Sequence, residues 1–153
     1  MQERKAADQS LRLYQRLSLV YLFPPLMSFF SAVVALWNSG YAQGLSLNVA
    51  VYGAEKLKGT SGYIAFVLVV GLGLVGLGVL LTLRAAKGKL YAPILGTALY
   101  LADLIFGLIL YRDSIDSTYV IRLICHGVFL LLMAASIFFY FQTEKRLKAE
   151  KRP

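Results

Sequence analysis

Four residues in this sequence have types and spacing that could do chemistry: Tyr100, Asp103, Arg122 and His126. Gly96, Tyr100, Asp103 and Gly107 recur at steps of four, three and four, so they share one face of a helix. Arg122, His126, Phe129, Met133, Ser136 and Tyr140 share a face in the next apolar run. Both runs read as membrane spans. A carboxylate inside lipid is costly, so Asp103 must face protein or water. Only residues 112–119 separate the two runs, and positions 103 and 126 mirror each other about 114–115. The spacing therefore predicts that Asp103 meets His126, with the Arg122 side chain reaching over Gly107.

Two kinds of chemistry follow from such a cluster. In one, Asp103 is an assembly group satisfied by Arg122, His126 or Tyr100. In the other, Asp103 and His126 exchange protons in a small proton-coupled transporter or channel subunit. One aspartate and one histidine make a thin pathway, which favours assembly. A membrane-embedded enzyme is the remote alternative, and no catalytic residues are expected. A Ser-His-Asp arrangement fails because Ser136 lies ten residues beyond His126, roughly 15 Å deeper. Neither G-x-S-x-G nor H-E-x-x-H occurs. A single histidine and a single cysteine, Cys125, exclude an internal disulfide and the usual metal clusters, so neither metal nor cofactor is expected.

The elements that must hold these residues are set by composition. Of the 153 residues 58% are hydrophobic, well above the roughly 45–50% of soluble domains. The excess collects in four runs, 17–37, 63–83, 90–111 and 120–141. Each is long enough, at about 1.5 Å per residue, to cross a hydrocarbon core of roughly 30 Å. The expected fold is therefore an all-α membrane protein, one domain over 1–153. Its four transmembrane helices form an antiparallel bundle, preceded by a lead-in (1–16) near the headgroups and followed by a basic tail (142–153).

The net charge of +8 would suit nucleic acid, but its distribution points elsewhere. Twelve of the sixteen basic residues fall before span one, between spans two and three, or after span four. Lys56, Lys58 and Arg112 lie on the opposite side. The positive-inside rule then places both termini in the cytoplasm, in a bacterial cytoplasmic membrane. The expected partners are the bilayer with its anionic inner-leaflet lipids, and a second copy or another membrane protein; nucleic acid is not one of them. Gly40, Tyr41 and Ala42 resemble a signal-peptidase site, but the preceding apolar run is longer than a signal-peptide core, so cleavage is not expected.

Within span one, Pro24 and Pro25 remove two backbone donors and predict a kink or a restart. Ser18, Tyr21, Ser28, Ala32 and Ala35 mark a packing face. In the external loop, residues 45–52 alternate bulky apolar with other side chains and predict a short extended or β segment closed by Gly53. In span two, Gly71, Gly73 and Gly76 fit the dinucleotide fingerprint, but inside an apolar span they cannot form its phosphate turn. Gly71 and Gly78 fall on one helix face and Gly73 and Gly76 on nearly the opposite one, which predicts close neighbours on both. Gly96 and Gly107 are expected to admit neighbours along span three in the same way. Asp113 and Asp116 read as turn residues, with Asp116 or Ser117 capping helix four.

Overall fold

The computed structural model describes residues 2–34, 46–112 and 117–150. Its described residues are helical, with no strand among them. Four helices are long and apolar enough to cross a membrane: Gln9–Val34, Gly62–Ala86, Tyr91–Leu110 and Tyr119–Lys145.

The two prolines shape the first of these. The chain begins with α1 (Gln2–Leu17), tightens into a 3-10 turn over Ser18–Tyr21, and restarts as α2 (Phe23–Val34). Pro24 and Pro25 have no N–H to offer the carbonyls four residues back, Val20 and Tyr21, so the ladder is interrupted there. The interruption lets span two come close: a Cβ on Gly78 would sit 3.1 Å from the Tyr21 carbonyl oxygen and 3.1 Å from the Pro25 ring. Ser18, Tyr21, Ser28 and Ala32 are buried, and Ala35 lies outside the described residues. Tyr21 ties span one to the other helices, its hydroxyl sharing a 2.6 Å hydrogen bond with Ser136 on span four while its ring fills the space over Gly96 on span three. Helix α1 packs against the last helix, where the Tyr14 and Tyr140 ring centroids are 5.5 Å apart. The Tyr14 hydroxyl donates to the Ala85 carbonyl at 2.6 Å.

Span two consists of α4 (Gly62–Phe66), a π turn over Val67–Gly71, and α5 (Leu72–Ala86). Its two glycine faces differ. Gly71 lies against the Phe29 ring and Gly78 against the kink of span one, whereas a Cβ on Gly73 or Gly76 would meet nothing within 4 Å among the described residues. The expectation of a close neighbour on both faces is therefore corrected: spans one and three approach from one side, and the Gly73 and Gly76 side is open. Span three is α6 (Tyr91–Leu110), and α7 (Ser117–Glu150) carries span four onward. The 34 residues of α7 rise roughly 51 Å, longer than a bilayer core is thick. Beyond Phe141 the helix continues, with Lys148 and Glu144 one turn apart and 2.8 Å between their charged atoms. Asp113, Asp116 and the Gly40-Tyr41-Ala42 stretch lie outside the described residues.

The segment between spans one and two departs most from expectation. Where the alternation of residues 45–52 predicts a strand, the chain forms α3 (Asn48–Leu57). Leu47, Ala50, Val51 and Ala54 are all buried, and their spacing of three, one and three is that of one helix face. A strand there would leave its backbone donors and acceptors without a ladder in an apolar setting, whereas a helix satisfies most of them within itself. Three contacts fix its direction: Asn48 at Asp103, Tyr52 packed on Phe106 with ring centroids 6.0 Å apart, and Glu55 accepting a 3.2 Å hydrogen bond from Tyr111. It therefore runs alongside the second half of α6 in the same direction. Its ten residues rise about 15 Å, half the thickness of a bilayer core.

Candidate functional site: a carboxylate that seats a short helix

A helix that begins inside a membrane protein has to satisfy its first N–H groups without water. Leu47, at the cap position of α3, has an extended backbone and no side-chain oxygen to offer. Span three supplies the missing acceptor. Asp103 Oδ2 accepts from Asn48 N at 2.8 Å and from Asn48 Nδ2 at 3.1 Å, while Oδ1 accepts from Val49 N at 2.9 Å. The Asn48 amide also donates to the Asp103 backbone carbonyl at 3.0 Å. A negative group at a helix N-terminus meets the positive end of the helix dipole as well as its orphan donors, so charge and hydrogen bonding act together. Asp103 lies seven residues before the end of α6, so this contact sits about 10 Å in from that end.

The turn entering α3 is held from two more directions. Ser28 Oγ accepts from Leu47 N at 2.7 Å and itself donates to the Pro24 carbonyl at 2.7 Å, linking the turn to the kinked part of span one. Arg122, buried to 4% exposure, donates from Nη2 to the Ser46 carbonyl at 3.2 Å and lies 5.8 Å from the centre of the Tyr111 ring. Three spans thus grip three consecutive residues, Ser46, Leu47 and Asn48. Gly107 makes the fit possible, because any Cβ there would fall on the Asn48 side chain. The space that the spacing of residues assigns to Arg122 is filled by Asn48.

The predicted cluster is accordingly divided. Tyr100 and His126 come together, with 2.5 Å between the Tyr100 hydroxyl and His126 Nδ1 and ring centroids 5.4 Å apart. Asp103 lies one turn further along α6, and its hydrogen bonds among the described residues run to Asn48 and Val49 rather than to His126. The hairpin register is shifted by about one turn from the one that positions 103 and 126 imply. His126 is 1% exposed and its Nε2 has no hydrogen-bond partner among the described residues. Removing the hydroxyl of its neighbour leaves the whole ring unpartnered. Tyr100→Phe is therefore expected to cost about 1–2 kcal/mol, read as a lowered melting temperature in detergent. An unchanged melting temperature would mean that the pair contributes nothing.

Residue patterns pointed to Asp103, Tyr100, Arg122 and His126, placed Ser28 only on a packing face, and missed Ser46 and Asn48. The one signal for these was the helical spacing of Leu47, Ala50, Val51 and Ala54, which implies a helix starting near Asn48. Among the described residues no three His, Cys, Asp or Glu side chains gather as metal ligands would. No protein-family model, curated protein or solved structure matches the chain.

Proposed function

We propose that this chain is a multi-pass membrane protein that acts without catalysis, as a homo-oligomer or as a subunit of a larger membrane assembly. One observation carries the reading: the polar side chains inside the bundle bind parts of the same chain. Asp103 caps α3, Tyr100 meets His126, and Arg122 holds Ser46. Groups committed in this way stabilise a shape, and the outer faces of the spans remain available to lipid or to partners. Leu68, Val69, Leu72, Leu80 and Leu83 form such a face on span two, and Ile121, Ile124, Val128 and Leu131 form one on span four.

In this reading both termini are cytoplasmic in a bacterial inner membrane, the basic ends lie against anionic lipid, and α3 enters the bundle from outside. A cysteine at Lys56 should then react with an impermeant thiol reagent added to intact cells, and cysteines at Lys87 and Lys148 should not. Labelling of Lys87→Cys from outside would invert or break this topology. Proton-coupled transport is the second reading, favoured by the position of Asp103 on the wall of a cavity. Native mass measurement of the purified protein together with proton flux in liposomes separates the two. A defined oligomer or a retained partner, with no flux, is the expected result; a monomer whose flux disappears in Asp103→Asn would overturn it.

A further inference from the structure

Between spans one, two and three lies a cavity of about 180 Å³, bounded at one end by the start of α3. Pro25, Leu77, Gly78 and Leu99 form much of its wall, and among the described residues Asp103 is the one carboxylate on it. Leu77 and Leu99 are 38% and 44% exposed, so the mouth opens on the side of the bundle that meets the bilayer. We infer that this cavity binds a small lipophilic ammonium ion, an apolar body of about benzene size carrying a protonated amine.

The size follows from comparison with a dry apolar cavity of about 150 Å³, which is enough to take up benzene. The charge follows from the wall. The two phenols that line the cavity are turned to other partners, Tyr21 to Ser136 and Tyr100 to His126. That leaves Asp103 to recognise the ligand. An ionised carboxylate only accepts, at about four lone-pair sites. Among the described residues two donors occupy Oδ2 and one occupies Oδ1, so one acceptor site on Oδ1 remains. The N-terminus of α3 offers roughly half a positive charge against the full negative charge of the carboxylate. An ammonium donating to Oδ1 completes the hydrogen bonding and forms an ion pair at contact distance. An anion is repelled by the carboxylate at contact, and a neutral hydrocarbon fills the space but leaves Oδ1 as it was.

The protein in discs of zwitterionic lipid, with empty discs as the blank, can be titrated with phenethylammonium, neutral ethylbenzene and anionic phenylacetate. Saturable binding is expected for the first two, with phenethylammonium at least tenfold tighter, and none for phenylacetate. Asp103→Asn should bring the first two to equal affinity. Leu77→Trp, placing an indole in the mouth from an exposed position, should abolish both. Equal affinities for the cation and the neutral probe in the wild-type protein would overturn the inference, as would absence of saturable binding above the blank. Unchanged binding by Leu77→Trp would also overturn it. Should Asp103→Asn fail to fold, the ranking of the three probes on the wild-type protein decides. The result is independent of whether the protein is an oligomer, since binding is read per chain.

Discussion

Replacing Asp103 with alanine is expected to lower stability by about 3–5 kcal/mol, because it removes the acceptor of three hydrogen bonds at once. Two of the donors, Asn48 N and Val49 N, are backbone groups that cannot be moved to water without unwinding the start of α3. Asp103→Asn should cost about half as much. Its amide keeps one acceptor oxygen but turns an NH2 toward a backbone N–H, so one cap bond becomes a donor facing a donor. The partner identifies the mechanism. In a double-mutant cycle, Asp103→Asn should couple to Asn48→Ala by about 1 kcal/mol or more, and should be additive with His126→Gln. Faster amide exchange at Asn48 and Val49 in the single variant would localise the loss to the seat of α3. Wild-type melting and exchange in Asp103→Ala would show that the carboxylate caps nothing of consequence. Coupling to His126 would restore the pairing that residue spacing alone suggests.

The spans and the importance of Asp103 were legible in the sequence for the same reason: lipid admits few solutions. Twenty apolar residues have one use, and a carboxylate among them must be satisfied from within the protein. The partner of Asp103 was not legible, because what it binds is mainly backbone N–H, which no side-chain pattern encodes, and because α3 arrives from 55 residues away in the chain. His126 and Arg122 were the available ionisable neighbours, and side-chain chemistry alone cannot see a helix terminus. The segment at 45–52 shows the same difficulty in miniature. Leu45, Leu47, Val49 and Val51 fit a period of two, while Leu47, Ala50, Val51 and Ala54 fit a helix face, and both patterns share residues. The cap settles the choice, since a helix starting at Asn48 has an acceptor waiting on span three and a strand has no neighbour to pair with. The glycines of span two divide on the same principle: their two faces can be read from spacing, but which face has a neighbour depends on where the kink of span one comes to lie.

That division gives the second large effect. Gly78→Leu is expected to destabilise by about 3 kcal/mol or more, because the added carbons meet the Tyr21 carbonyl and the Pro25 ring, parts of a backbone that cannot rotate away. Relief would require spans one and two to separate, which would also loosen the hold of Ser28 on the turn into α3. Gly73→Leu lies on the same helix five residues earlier, and its side chain enters open space. There the substitution should be neutral within about 0.5 kcal/mol or slightly stabilising, since leucine is a better helix former than glycine by roughly 0.8 kcal/mol and lipid accepts its side chain. Melting temperatures in detergent distinguish the two variants directly. If Gly78→Leu melts like the wild type, the close crossing of spans one and two at the prolines is wrong. If Gly73→Leu loses stability only as the protein concentration falls, the open face of span two is where a second copy packs, and the assembly is built on that helix.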